Sequence, residues 1–275
     1  MSKPEKVLIV GAGSMGRALA LGIKGKGATA SSLDLQIYDV HSDRAEALSI
    51  EAGAKVNNDL SQADVVVLCI KPHDLKNLAE GLAAPISKNA LVISFLAGTT
   101  MTEVSDTLSF KGSVVRAMPN ICAKVAMAAT GASHNGACSG SHIKSAEKIL
   151  SSVGNLHWLK EELMDAVTGL SGSGPAYVFM VVEAMTDGGV KMGLPRDVAY
   201  SLSLQTVAGA ASLLQDSGLH PAILKDQVTT PGGTTINGLY ELEAHGLRPM
   251  LIRAIETATK RSKDLRRPPE QREMD

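Results

Sequence analysis

The stretch Val7-Leu8-Ile9-Val10-Gly11-Ala12-Gly13-Ser14-Met15-Gly16 decides how this chain is read. Four apolar residues predict a short buried strand, a glycine turn breaks it, and Met15 to about Lys26 predicts a helix. The spacing is G-x-G-x-x-G at a strand-to-helix turn, an arrangement that binds dinucleotides. Gly11 allows the tight turn, Gly13 lets the backbone approach a pyrophosphate, and Gly16 lets the helix lie close to its strand. The pyrophosphate would rest on unpaired N–H groups at the positive end of that helix. Gly11, Ala12, Gly13, Ser14, Met15 and Gly16 are therefore candidate cofactor contacts. The plain alternative is an ordinary glycine-rich turn; the position right after the first strand favours the dinucleotide.

Composition narrows the class. With 275 residues there is room for one large domain or two smaller ones. A formal net charge of −1 speaks against a nucleic-acid partner, and 3% aromatic residues leave little for base stacking. No apolar run reaches the ~18–20 residues of a membrane helix, so no membrane association is expected. Met1 to Lys6 leads directly into the short strand, with no apolar region of signal-peptide length. Cys69, Cys122 and Cys138 form no C-x-x-C pair, which predicts free thiols in a reducing cytoplasm. The histidines show no metal-ligand spacing, and no metal site is expected.

Working outward from the glycine turn, Leu35-Gln36-Ile37-Tyr38-Asp39 alternates and predicts a second strand. Asp39 falls where an acidic residue accepts the adenosine ribose hydroxyls, which favours NADH. Ser42 and Arg44 follow in the same loop, and an arginine there can neutralise the 2′-phosphate of NADPH. Equally, Ser42 can cap a helix running to Ala52, with Arg44 on its solvated face. NADPH and NADH remain alternatives at this point.

Val65–Ile70 is apolar and β-branched without alternation, the mark of a strand buried on both faces. It ends at Lys71-Pro72, which places Lys71 on the carboxyl edge where such sheets bind ligands. The pattern recurs at Leu91–Ser94, followed by Ala97-Gly98, and at Val114–Met118, followed by Pro119-Asn120. Helices over Leu75–Leu82 and Met101–Leu108 separate these strands. Strands alternating with helices define an α/β fold with a Rossmann-type doubly wound sheet, here over 1–160.

From Met164 onward only helical patterns follow, so 161–265 is expected to be all-α, with a disordered polar tail over 266–275. Pro175 and Pro195 mark first helical turns. The helix from Pro175 to about Met192 is apolar round much of its circumference, which suggests a subunit interface; burial within one chain is the alternative. Gly188-Gly189 inside it points to close backbone approach.

A second polar, glycine-rich stretch, Thr229-Thr230-Pro231-Gly232-Gly233-Thr234-Thr235, opens another helix. Its Gly232, Gly233 and Thr234 N–H groups would offer a site for a carboxylate. Thr234 or Thr235 can instead simply cap the helix.

Over nearly its whole length the chain resembles the pyrroline-5-carboxylate reductase family. The likeness rests on Gly11–Gly16, Ile70-Lys71-Pro72, Ala97-Gly98, Arg116-Ala117-Met118-Pro119-Asn120, Ser171–Tyr177 and Asp187-Gly188-Gly189. It rests above all on Lys225-Asp226 followed by Pro231-Gly232-Gly233-Thr234-Thr235. The resemblance implies reduction of the C=N bond of Δ1-pyrroline-5-carboxylate by NADPH or NADH, giving L-proline. It implies that Gly232, Gly233 and Thr234 hold the substrate carboxylate, that Thr235 meets the ring nitrogen as the catalytic residue, and that Thr230 lines the pocket. Lys71, Pro72, Ala97 and Gly98 would contact the nicotinamide half, and Ile70, Pro119 and Asn120 are further candidate cofactor contacts. Asn58, or its neighbour Asn57, would touch the adenosine. It further implies that the helical domain is a dimerisation domain, with dimers assembling further, commonly into decamers.

Three residues depart from the family pattern. Asp39 stands where relatives usually carry a small or hydroxyl residue, Ile121-Cys122 replaces Thr-Pro, and Leu96 replaces an alanine. The competing enzyme reading is a reductase of another imine or a β-hydroxyacid, whose catalytic lysine and asparagine would fall at Val178 and Val182. A non-catalytic dinucleotide-binding sensor is the competing reading from another class. Cys122 lacks a neighbouring histidine and is read as a packing residue, not a nucleophile.

Overall fold

The structure, a computed structural model, describes residues 3–27 and 31–265. The tail expected to be disordered lies outside the described residues. Contacts divide the chain into two compact units, one of residues 1–173 with 256–275 and one of residues 174–255. The division falls later than the 160/161 boundary read from sequence, and residues 256–265 belong to the first unit.

The first unit is built on an eight-stranded sheet in the order β3-β2-β1-β4-β5-β6-β7-β8. Its strands are β1 (Glu5–Val10), β2 (Leu33–Tyr38), β3 (Lys55–Val56), β4 (Val65–Leu68), β5 (Leu91–Ser94), β6 (Ser113–Met118), β7 (Ala128–His134) and β8 (Gly154–Trp158). β1 to β6 pair in parallel, β7 runs antiparallel to β6, and β8 is parallel to β7. The order reverses at β1, between β2 and β4, which is the switch point where sheets of this kind bind ligands.

Strand periodicity explains why β1 is apolar throughout. Val7 and Ile9 point to one face, beneath α1 (Ser14–Gly25), α2 (Ser42–Ala52) and α5 (Gly140–Leu150). Leu8 and Val10 point to the other, where α3 (Leu75–Glu80) and α4 (Met101–Thr107) pack through Leu75, Met101 and Val104. All four strand residues are essentially inaccessible. Burying one such side chain contributes roughly 1.5–3 kcal/mol.

Three strands, β3, β7 and β8, were not expected from sequence. β7 reads Ala-Ala-Thr-Gly-Ala-Ser-His and carries almost no β-branched residues. Its small residues serve close packing instead: a Cβ on Gly131 would lie 2.7 Å from Val167 Cγ1. The helices end slightly earlier than expected, at Glu80 and Thr107. α4 starts with a capping box in which Thr100 Oγ1 accepts the Glu103 N–H and the Glu103 carboxylate accepts the Thr100 N–H.

After α6 (Met164–Val167) and a wide turn at Thr168–Gly172, the second unit is helical throughout. It contains α7 (Gly174–Lys191), α8 (Arg196–Ser217), α9 (Pro221–Gln227) and α10 (Thr234–Ala244), while α11 (Leu247–Asp264) begins there and ends in the first unit. Pro175 sits in the first turn of α7, whereas Pro195 occupies the cap position before α8. The Gly188-Gly189 pair is explained on one side only. A Cβ on Gly189 would lie 3.0 Å from Ala199 Cβ of α8, and one on Gly188 would meet nothing within 4 Å.

Only Val182 and Thr186 of α7 are buried. Phe179 is 62% and Met180 72% exposed, and Val178, Val181 and Met185 are exposed as well. The second unit by itself therefore leaves most of this face uncovered. Among the described residues no helix is long and apolar enough to cross a membrane.

Candidate active site

The glycine loop joins β1 to α1 with contacts that require glycine at positions 11 and 16. Gly11 has φ +104, and a Cβ there would lie 2.7 Å from the Cys69 carbonyl oxygen. On Gly16 it would fall 1.9 Å from the Gly11 oxygen. Gly13, by contrast, has φ −72 and its Cβ would meet nothing within 4 Å. The loop therefore closes tightly on its own strand and leaves open space at the helix start, the cradle that a pyrophosphate fits.

Asp39 follows β2 and reaches across to this loop. Its Oδ2 accepts the Ala12 N–H at 2.7 Å, and its Oδ1 accepts the His41 N–H at 2.9 Å. The carboxylate is thus fixed by two backbone donors. Gly11, Gly13, Asp39, Arg44, Ile70 and Lys71 line one cavity of about 390 Å³. His41, Asp74 and Asn77 line it too. Sequence reading missed these three, and the signal for Asp74 and Asn77 was their place just past Lys71-Pro72 on the carboxyl edge.

Other candidates fall elsewhere or have narrower roles. Ser42 does not cap α2; it is the first helical residue, and extended His41 holds the cap position without a side-chain bond. The reason is local: the His41 N–H is drawn to Asp39, which makes His41 the cap and starts the helix one residue earlier than a Ser42 cap requires. Ser14 is exposed and Met15 packs partly against the core. Asn57 donates to Gln36 Oε1 at 2.6 Å, which commits its amide and leaves Asn58 as the exposed one of the pair. Neither lines the cavity.

β4 ends at Leu68, so Cys69, Ile70 and Lys71 all lie past its carboxyl end, and Pro72 opens a short helical turn. Burial pushes the Cys69 thiol well above its ordinary range, which leaves it protonated and unreactive. Gly98 has φ +72, in the left-handed region, at the turn after β5. Asn120 is buried; its Nδ2 donates to the Ser171 carbonyl at 3.0 Å, and its Oδ1 accepts the Cys122 N–H at 3.2 Å. Its side chain is therefore spent on structure, and the backbone of Pro119-Asn120 is what this strand end can offer a ligand. Among the described residues no group of three or more His, Cys, Asp or Glu is placed to hold a metal ion.

In the second unit, Pro231 and Gly232 are the central residues of a turn closed by the Gly233 N–H on the Thr230 carbonyl at 3.0 Å. Gly232 has φ +69, and a proline followed by a glycine at positive φ is what a type II turn favours. This corrects one expectation: the Gly233 N–H is taken by the turn and does not point outward. It settles another, because Gly233 itself is the cap residue of α10, with no side-chain cap. Thr234 and Thr235 are thus the first residues of the helix, not its cap. Thr230 and Thr234 are exposed and Thr235 is half-buried. A Cβ on Gly233 would strike Thr230 Oγ1 at 2.3 Å, so the glycine keeps the turn closed.

A doubly wound sheet with a glycine cradle at its switch point and an acidic residue after β2 defines a dinucleotide-binding oxidoreductase fold. Residues 6–98 match a family model described as NADP oxidoreductase, coenzyme F420-dependent. Residues 161–265 match the model for pyrroline-5-carboxylate reductase dimerisation. The pyrroline-5-carboxylate reductase of Methanosarcina acetivorans is 41% identical over 95% of this chain and 98% of its own. The solved structure of a pyrroline-5-carboxylate reductase from Coxiella burnetii superposes with a TM-score of 0.86 at 31% identity, covering 97% of this chain and all of the other. That of a Plasmodium falciparum pyrroline carboxylate reductase with NADP bound has a TM-score of 0.80 at 29% identity, covering 96% of this chain and 98% of the other. The chain belongs to the pyrroline-5-carboxylate reductase family.

Proposed function

We propose that this protein reduces Δ1-pyrroline-5-carboxylate to L-proline with NADPH or NADH, the last step of proline biosynthesis. The observation that carries the reading is one chain holding a glycine cradle locked to Asp39 and, leading into α10, the Thr230–Gly233 turn. The bound dinucleotide supplies a hydride to the C=N carbon. The cradle of Gly11, Ala12, Gly13, Ser14, Met15 and Gly16 holds the pyrophosphate. Asp39, Ser42 and Arg44 meet the adenosine ribose, and Asn58 touches the adenosine. Ile70, Lys71, Pro72, Ala97, Gly98, Pro119 and Asn120 border the nicotinamide half.

On the substrate side, the Gly232 and Thr234 N–H groups hold the carboxylate, aided by the positive end of α10. The Gly233 N–H contributes by closing the turn. Thr230 lines the pocket. Thr235 orients the ring nitrogen through its hydroxyl; a threonine is too weak an acid to drive protonation, and a protonated imine is already activated. Most of the acceleration then comes from holding the reacting carbons together. The β-hydroxyacid alternative is disfavoured by Val178 and Val182 on α7, two apolar side chains that cannot polarise a carbonyl.

The apolar face of α7 is covered by a second copy of the chain, and dimers assemble further, into decamers. Support comes from the exposed Phe179, Met180 and Met185 and from the matched dimerisation model. We place the protein in the cytoplasm on the strength of its free cysteines. The test is product analysis: L-proline should form mole for mole with oxidised cofactor. Cofactor binding without imine turnover would instead favour the sensor reading.

A further inference from the structure

β6 carries a charge into the interior. Arg116 pairs in register with Ser94 of β5, and its side chain is 4% exposed. Its Nη1 lies 3.6 Å from Glu161 Oε1 and its Nη2 3.7 Å from Asp165 Oδ1, and the Asp165 side chain is 1% exposed. A buried ion cluster is weak evidence for stability, because apolar residues of equal volume commonly serve as well. What it supplies is direction, since each charge accepts partners only at particular places.

Those partners lead to the edges of the proposed nicotinamide site. Glu161 Oε1 also accepts the Met101 N–H at 2.7 Å, one of the unpaired donors in the first turn of α4. Met101 directly follows the Ala97–Thr100 loop. Asp165 Oδ1 accepts the Ser262 hydroxyl at 2.9 Å, from the last turn of α11. Ser262 in turn lies against the same loop: its carbonyl oxygen would be 3.5 Å from a Cβ on Gly98, and Leu265 Cβ would be 3.4 Å away. Arg116 itself stands two residues before Met118-Pro119-Asn120. Every one of these contacts lies within the first unit.

We infer that Arg116, Glu161, Asp165 and Ser262 form a positioning cluster that holds the Ala97–Thr100 loop against the Pro119-Asn120 strand end and so sets the geometry of hydride transfer. The inference rests on the assignment of these two edges to the nicotinamide half. The cluster acts through the loop, touches neither reactant, and governs kcat more than cofactor affinity.

The test uses the full chain and starts with Ser262→Ala, which removes one tether without uncovering the Arg116 charge. Cofactor Kd should be unchanged, while kcat falls roughly tenfold, the scale on which a small misplacement slows a reaction. The isotope effect on kcat with cofactor dideuterated at C4 should rise as hydride transfer becomes slower than the other steps. Amide exchange over residues 97–104 of the cofactor-free protein should accelerate. Ser262→Thr, which restores the hydroxyl, should return all three readouts. Unchanged kcat and isotope effect in Ser262→Ala would overturn the inference, as would a kcat loss matched by an equal loss of cofactor affinity. Ala97→Leu separates the two readings. If it impairs cofactor binding while Ser262→Ala changes nothing, the positioning cluster alone is refuted. If it leaves binding and turnover intact, the assignment of the loop fails and the inference with it.

Discussion

The Asp39 carboxylate accepts the Ala12 backbone N–H at 2.7 Å, so the acidic residue after β2 and the glycine loop after β1 are one rigid piece. With the His41 N–H on its other oxygen, the carboxylate cannot turn away from the cavity it lines. A fixed negative charge there opposes a 2′-phosphate. Like unit charges about 4 Å apart repel by roughly 4 kcal/mol at an effective dielectric near 20. Arg44 lines the same cavity with the opposite charge.

Cofactor preference therefore reflects a contest between two residues. Asp39→Ser should raise the ratio of kcat/KM for NADPH over NADH by about tenfold or more, which is only about 1.4 kcal/mol of the repulsion. Arg44→Ala should shift the ratio the other way. Initial rates with both cofactors check this, and parallel losses with both would show that neither residue discriminates.

The glycines of the cradle differ in what a side chain would meet, and the difference is testable. Gly16→Ala drives a Cβ into the Gly11 carbonyl and should lower Tm sharply. Gly13→Asp places its side chain in open space at a cap position, where Asp is favoured, so Tm should hold. Cofactor affinity should nevertheless collapse, because the carboxylate takes the place of the pyrophosphate. Thermal melts together with cofactor titrations separate the two effects.

How much of this was legible in the sequence follows from how local each signal is. β1 and its glycine turn could be read directly, because full burial and tight turns leave their mark within ten residues. β7 could not: its Ala and Ser residues favour no strand, and its place comes from pairing with Met118 and Trp158 far along the chain. The position of Asp39 was expected, but its bond to Ala12 was not, since backbone donors carry no side-chain signature. Arg116 is the clearest case of a residue that sequence reading passed over in its chemical role. Its carboxylate partners follow it by some distance in the chain, and no spacing rule links them. The turn at Thr230–Gly233 shows a mixed result, for Pro-Gly marked the turn while the internal use of the Gly233 N–H required the fold.

Thr235 should matter to chemistry and not to cofactor binding. Thr235→Ala should lower turnover by about a hundredfold if the hydroxyl orients the ring nitrogen. Cofactor affinity, measured by titration, should stay unchanged, because Thr235, the second residue of α10, is assigned to the substrate and not to the cofactor. Full activity in the variant would remove Thr235 from the mechanism.

The exposed face of α7 predicts self-association. Phe179→Glu places a charge on a surface that carries Met180 and Met185, and it should convert the assembly to monomers on light scattering. Because Phe179 is exposed within the chain, the helical content of the variant should be unchanged. An unaltered oligomer would show that this face is not the subunit contact.

The most direct test of the central claim is the initial rate of Δ1-pyrroline-5-carboxylate reduction, followed at the nicotinamide absorbance with NADPH and with NADH. The account predicts turnover with at least one cofactor and L-proline as the product. A folded protein that binds the cofactor yet reduces this imine with neither would contradict it.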